Sequence, residues 1–354
     1  MNILQLIDTL HPGGAERVAL NYANSLLQYG VQSHICATRD KGILVDEIQE
    51  GVVFHFLGKK NTLDLLALNK LRIIIRENKI DVLHAHGTSW FFAVLCKISG
   101  SKFKLIWHDH YGNSEFLENR ETRFLKFFST KFDGIISVNK KLRDWAINKL
   151  RFKNVIFLNN FIKIREESNE MPVKLKGNSE IKLISVANLR AQKDHRTLLE
   201  AFQILTNEGN SISLHLFGKE YNDQYSEDIK SSIKTMSSVY WYGEQKEIFS
   251  YLCHADIGIL SSFSEGLPLA LLEYGMARLA VVSTDVGECR NVIGDYGILT
   301  NPSNPVEIAK AINDYIQNPI KLKDDSENLQ ARIKQLYSEE FVIPKYLSFC
   351  REIC

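Results

Sequence analysis

Short apolar runs alternate with stretches of helical periodicity along most of the chain, and few folds accommodate that pattern. Asn2–Ile7 reads as a buried strand and 15–29 as a helix. Val31–Ala37 is a strand, 43–50 a short helix, Val52–Phe56 a strand and 63–78 a helix. Strands at 81–85, 104–107 and 134–138 follow, with a helix over 89–99 between the first two. Near-continuous apolar strands separated by helices belong to a parallel sheet covered on both faces. In such α/β folds ligands bind beyond the carboxyl ends of the strands. The 354 residues exceed one ordinary core. A polar, aperiodic stretch at 164–180 reads as a linker between a domain at 1–163 and another at 181–339.

Composition excludes several function classes. A net charge of +1 rules out a strongly basic nucleic-acid binder, so no nucleic-acid partner is expected. Six scattered cysteines have no CxxC or framework spacing and read as reduced thiols of a cytoplasmic protein. The apolar start lacks a basic lead, and the longest apolar run, 90–96, falls short of the roughly 20 residues a membrane span needs. The turn at His11-Pro12-Gly13-Gly14 lies between a strand and a helix but is not GxGxxG, so nicotinamide or flavin binding is not supported.

The densest chemistry lies at 264–277, SEGLPLALLEYGMA. Ser264 to Pro268 reads as a loop entering a helix, with Pro268 in the first turn. Glu273 is the one charge inside an apolar helix and needs partners or a cleft. Glu265 stands eight residues earlier, about 12 Å away along the axis. Between them the Gly266 and Leu267 amides are expected at the positive end of the helix dipole, a ready anion site. A sugar at Glu265, a diphosphate at the helix end and a ribose at Glu273 would fit this layout. The bland reading has Glu265 merely complementing the dipole and Glu273 facing solvent.

This Glu265-x7-Glu273 signature, with Gly266 and Pro268 inside it, resembles that of the retaining glycosyltransferases of family 4, and so does the surrounding segment 255–288. The resemblance implies the GT-B fold: α/β, two Rossmann-like doubly wound domains facing a central cleft, with a last segment at about 340–354 crossing back to the first domain. It also implies roles. Gly13 and Gly14 would lie against donor phosphates and acceptor, and His108, in KLIWHDHYG, would contact the donor sugar. In VANLRAQKDHRTLLEAF, Lys193 falls on the family's phosphate-binding lysine, whereas Asn188 replaces the usual arginine and Arg190 is displaced by two positions. Gly218 would approach the nucleotide closely, the residues after Gly243 would line the base pocket, and Ser262 would end the strand before Glu265. The chain also departs from the family at Ile162, where aspartate is usual, and at Asn291, where glutamate is usual.

Two features stand outside that frame. His84-Ala85-His86 and His108-Asp109-His110 each place two imidazoles on one strand face, a pattern that suits metal ligands, although no further carboxylate spacing completes a site. The alternative is that three of these histidines are satisfied polar residues in loops. Residues 97–153 carry thirteen cations against six carboxylates, a net +7, and TRFLKFFSTKF (122–132) interleaves aromatics with them. Such a segment suits an anionic membrane interface, or else an amphipathic helix with its aromatics in the core.

The resemblance thus implies transfer, with retention, of a hexose-type sugar from a nucleoside diphosphate sugar, with UDP the expected nucleotide, to a hydroxyl of a glycan or lipid-linked acceptor. Glu265, His108, Arg190 and Lys193 would be the catalytic set, and no metal or other cofactor would be required. Bacterial cell-surface polysaccharide or lipopolysaccharide synthesis is the expected setting, in the cytoplasm or on the inner face of the cell membrane. Three rival readings stay open: a sugar-nucleotide epimerase or phosphorylase on the same fold, a metal-dependent hydrolase on the histidine pairs, and a non-catalytic subunit that binds nucleotide sugar.

Overall fold

A computed structural model describes residues 1–163, 174–245 and 247–354. The chain divides into two compact units, Met1–Lys163 with Glu339–Cys354, and Ile164–Ser338. Of the expected linker at 164–180, residues 164–173 lie outside the described residues, and 174–180 form neither helix nor strand.

The first unit is built on seven parallel strands: β1 (Asn2–Thr9), β2 (Gln32–Asp40), β3 (Val53–Phe56), β4 (Val82–His86), β5 (Lys104–Asp109), β6 (Gly134–Ser137) and β7 (Val155–Phe157). Their order is β3-β2-β1-β4-β5-β6-β7, a doubly wound sheet that reverses direction between β1 and β4. The Leu65–Glu77 helix starts where the Asp64 side chain accepts the Ala67 amide at 3.0 Å. It buries Ala67, Leu71 and Ile75, a helical stripe, against the sheet. The Glu339–Ile353 helix belongs to this unit, where Phe349 lies over Gly134 of β6 so closely that a Cβ there would meet its ring at 2.6 Å.

The second unit has six parallel strands: β8 (Ile181–Val186), β9 (Ile212–Phe217), β10 (Val239–Trp241), β11 (Ile257–Leu260), β12 (Ala280–Thr284) and β13 (Ile298–Thr300), in the order β10-β9-β8-β11-β12-β13. Every residue of β9, β11 and β12 is buried, as a sheet with helices on both faces requires. The His195–Asn207 helix packs Leu198, Ala201, Phe202 and Leu205 into this core beside Ile308, Ile312 and Tyr315 of the Pro305–Gln317 helix.

Several expected boundaries move. The helix expected over 43–50 is a single 3-10 turn, Ile43–Glu47. The Gln224–Thr235 helix was not expected, because QYSEDIKSSIKT is polar and buries only Ser226, Ile229 and Ile233. Its start is nonetheless marked by Asp223, whose side chain accepts the Ser226 amide at 2.9 Å. β5 runs on through His108 and Asp109, two residues beyond the expected end. This extension pairs His86 with His108 and carries His108 into the core.

Candidate active site

In the second unit the carboxyl ends of β8 and β11 bring two loops together. After β8, residues 187–194 lead into the His195–Asn207 helix. After β11, residues 261–268 lead into the Leu269–Met276 helix. Gln192 stitches them: its side-chain amide donates to the Ser264 carbonyl at 2.7 Å, and its own carbonyl accepts the Phe263 amide at 2.8 Å. Ser261 Oγ donates to the carbonyls of Lys193 and Asp194 at 3.0 and 3.1 Å.

Glu265 is the focus of this junction. It is 5% exposed, and one carboxylate oxygen accepts from Lys193 Nζ at 2.5 Å and from Ser262 Oγ at 2.6 Å. The carboxylate therefore has charge-assisted partners at little cost in exposure. Lys193 keeps part of its ammonium in water, since its side chain is 23% exposed. An ammonium has three donors, so holding Glu265 leaves Lys193 able to donate to an anion arriving from solvent. The backbone under Glu265 is fixed from the far side. Glu288 N donates to the Gly266 carbonyl at 2.9 Å, and Thr284 Oγ1 to the Ser262 carbonyl at 2.7 Å. Gly287 has φ +55°, and a Cβ there would stand 2.2 Å from the Glu265 carbonyl oxygen. Only glycine lets these two turns meet.

The glycines at 218 and 243 are neighbours. Gly218 N donates to the Gly243 carbonyl at 2.9 Å. Gly218 has φ +145°, and a Cβ on it would lie 2.2 Å from the Ala187 carbonyl oxygen. Its need for glycine thus arises within the unit, where the chain after β9 presses on the chain after β8.

Four expected positions require correction or refinement. The helix starts at Leu269 with Pro268 as its N-cap, so Gly266 and Leu267 precede the first turn. Both are buried, and the dipole end is formed by the amides from Leu269 onward. Arg190 is not gathered with Glu265 and Lys193. It is exposed, and its guanidinium donates to Tyr221 Oη at 3.1 and 2.6 Å and lies 4.9 Å from that ring's centre. Asn188, in the usual arginine place, accepts the Lys219 amide at 2.8 Å and so braces this loop. Glu273 is half-buried on the Leu269–Met276 helix and is not sealed in the core.

In the first unit Gly13 caps the Gly14–Ser25 helix with an extended φ of −163°, and a Cβ on Gly14 would meet nothing within 4 Å. At Gly13 itself the Glu16 carboxylate folds back over the helix end, where a Cβ would stand 2.4 Å from its Oε2. His108 does not stand in a loop after its strand. It is fully buried, and its ring lies 5.1 Å from His84 and 5.9 Å from Tyr22. It has no exposed surface, and the partly exposed His110 is the nearer histidine to solvent. The loop alternative for the histidine pairs also fails, since His84, His86 and His108 all lie inside strands. Burial pushes all three imidazoles well below their ordinary range.

The Arg123–Ser129 helix divides its aromatics. Phe128 packs against Trp90 and Phe91, and Leu125 is buried, whereas Phe127 is 74% and Phe124 55% exposed. Several nearby cations are already paired: Arg120 with Asp109 at 2.6 Å, Lys141 with Glu115 at 2.5 Å, and Lys97 with Asp133. Among the described residues no helix is long and apolar enough to cross a membrane.

Comparison with known proteins follows the same division. Residues 12–165 match the family model described as Glycosyltransferase Family 4, and residues 166–335 match Glycosyl transferases group 1. An uncharacterized glycosyltransferase of Haemophilus influenzae is 24% identical over 346 residues, covering 95% of this chain and 94% of that protein. The O-antigen biosynthesis glycosyltransferase WbnH of Escherichia coli is 26% identical, covering 89% and 88%. Among solved structures, Anabaena Alr3699/HepE in complex with UDP and glucose superposes with a TM-score of 0.81 at 17% identity, over 98% of this chain and 99% of that one. TarM of S. aureus, in complex with Fondaparinux, alpha-GlcNAc-glycerol and UDP, gives 0.79 at 12% identity over 99% of each.

Proposed function

Because the chain belongs to the group 1, family 4 glycosyltransferases and has their GT-B fold, we propose that it moves a hexose-type sugar, with retention, from a nucleoside diphosphate sugar to a glycan or lipid-linked acceptor. The donor is held by the second unit. The observation that carries this reading is Glu265, buried and held by Lys193 and Ser262 at the meeting of the β8 and β11 loops.

The chemistry follows from the charges. The bond between the sugar's anomeric carbon and the diphosphate oxygen breaks through an oxocarbenium-like state, and negative charge grows on the departing phosphate. The Lys193 ammonium and the amides opening the Leu269–Met276 helix stabilise that charge, so the step needs no metal. Glu265 has two duties: it aims Lys193 and accepts hydrogen bonds from sugar hydroxyls. Glu273 accepts from the ribose. Gly218 and Gly243 carry the backbone past the base. Arg190 joins only by leaving Tyr221. The acceptor proton passes to the leaving phosphate.

The relatives support the setting. O-antigen and capsular polysaccharide synthesis name two of them, and UDP is bound in two of the structural neighbours. UDP is therefore the nucleotide proposed, and bacterial cell-surface polysaccharide synthesis in the cytoplasm the pathway class. The exposed Phe124 and Phe127 beside Arg123 and Lys126 support docking on an anionic membrane surface. A hydrolase built on the histidines is disfavoured because the cluster presents no face to a substrate. The test is incubation with radiolabelled UDP-, GDP- and ADP-sugars and candidate acceptors, with the anomeric configuration of the product read by proton NMR. An α-linked product from an α-linked donor supports the proposal. A β-linked product overturns retention, and hydrolysis without transfer overturns the activity.

A further inference from the structure

The first unit holds a buried polar layer that donor chemistry in the second unit does not use. Gln5 on β1 pairs in register with His84 on β4, and His86 pairs with His108 on β5. Alternation along the strands puts all four on one face. All four are 0% exposed. Tyr22, from the Gly14–Ser25 helix, and Tyr346, from the Glu339–Ile353 helix, close over them, with ring centres 5.2 and 5.1 Å from that of His84.

Hydrogen bonding in this layer is incomplete in a particular way. His86 is engaged at both nitrogens, with Nε2 2.8 Å from Gln5 Oε1 and Nδ1 3.0 Å from His110 Nε2. Among the described residues His84 and His108 have no partner at either nitrogen, and the Tyr22 hydroxyl has none either. Most buried polar side-chain atoms of native interiors have a partner, and unsatisfied ones are usually scattered. Here four imidazole nitrogens, Gln5 Nε2 and the hydroxyls of Tyr22 and Tyr346 are stranded together. One ligating nitrogen from each of His84, His86 and His108 lies within 4.8 Å of the others.

We propose that His84, His86 and His108 bind a zinc ion that ties β4 and β5 together beneath the two covering helices. The ligand set selects the metal. Three imidazoles with neither carboxylate nor thiolate suit zinc and its late first-row neighbours and exclude magnesium and calcium. Zinc–nitrogen bonds of about 2.0–2.1 Å put tetrahedral ligand atoms roughly 3.3 Å apart, so nitrogens that now lie within 4.8 Å of one another must close by up to about 1.5 Å. Gln5 Oε1 only accepts, so His86 carries its proton on Nε2, and its Nδ1 exchanges the His110 contact for the ion. Water or the Tyr22 hydroxyl completes the tetrahedron. Enclosure makes the ion structural, separate from transfer.

The test uses full-length protein without a histidine tag, expressed with zinc in the medium and analysed by plasma mass spectrometry. About one zinc per chain is expected in the wild type and in a His55→Asn control, and less than a tenth of that in His84→Phe and in His108→Phe. Removal of zinc with dipicolinate should lower the melting temperature, with recovery on adding zinc chloride. The two variants should not respond to either treatment. Folding of the variants is checked by circular dichroism and by a UDP-induced thermal shift. Cobalt reconstitution should give tetrahedral visible bands in the wild type and in His55→Asn only. A wild type with under a tenth of an equivalent and no response to zinc chloride would overturn the proposal, leaving trapped water to satisfy the layer. So would full zinc retained in both variants.

Discussion

Replacing Lys193 by methionine keeps most of the side chain's volume and removes its charge, leaving Glu265 at 5% exposure without its cation while Ser262 still donates to it. Breaking a buried ion pair from one side costs about 3–5 kcal/mol. Lys193 is 23% exposed, so water screens part of the lost attraction, and the expected cost falls to about 2 kcal/mol. The partner change Glu265→Gln should cost about 1 kcal/mol, since the amide still accepts from Ser262. In the double variant no charge is left uncompensated, so it should be at least about 1 kcal/mol more stable than the two single costs imply. Hydrogen exchange of peptides from β8 and β11 measures this in the second unit alone. Strict additivity would show that Lys193 and Glu265 are not energetically coupled and would remove the structural basis for Glu265 aiming Lys193. Transfer should be lost in all three variants, because stability can be restored by neutralising the pair while phosphate stabilisation cannot.

Three further outcomes are expected. Gly218→Ala should lower stability by more than about 2 kcal/mol or prevent folding, because its Cβ would stand 2.2 Å from the Ala187 carbonyl at a φ of +145°; urea midpoints of the soluble fraction check this. Stability of the zinc-free protein should fall as pH drops below about 6.5. Burial holds His195 down at about 4, and His84, His86 and His108 are also depressed, so the unfolded chain takes up protons that the folded chain refuses. The contribution is fully present above the unfolded pKa and is lost toward the folded one, at about 1.4 kcal/mol per pH unit for His195, whose folded value is about 4; flat urea midpoints between pH 7 and pH 5 would refute it. Phe127→Ser should leave the melting temperature within about 1 °C, since that ring is 74% exposed, while reducing cosedimentation with phosphatidylglycerol vesicles several-fold.

Much of the fold could be read from the chain because its strands are short apolar runs bounded by turn residues. Both sheets are parallel, as the alternation requires. What escaped reading depended on partners far away in sequence. Gln224–Thr235 has too few apolar positions to announce a helix, and it forms because Asp223 caps it and Ile229 and Ile233 find a core. In the candidate site of the second unit Lys193, Ser262 and Glu265 stood out by residue type and spacing, and the structure brings these three side chains together. Gln192 and Gly287, which join the loops beneath Glu265, looked like ordinary loop residues. Arg190 looked like a phosphate ligand because nothing nearby revealed Tyr221, 31 residues on, as its partner. The histidine pairs showed their shared strand faces in the sequence, but not that β4 and β5 are neighbours with His86 opposite His108. Only that register turns two HxH pairs into one buried cluster.

The central claim is that the second unit binds a nucleoside diphosphate through Lys193 and the residues around it. The most direct measurement is a thermal-shift titration of the protein with UDP, GDP, ADP and CDP in EDTA, beside Lys193→Ala and Glu273→Ala variants. Ligand at about 100 times its Kd stabilises the folded state by roughly 2.7 kcal/mol, several degrees for a chain of this size. The account predicts a shift with one nucleoside diphosphate, UDP, that persists in EDTA and shrinks in both variants. No shift with any of the four, or a shift untouched by both substitutions, would contradict it.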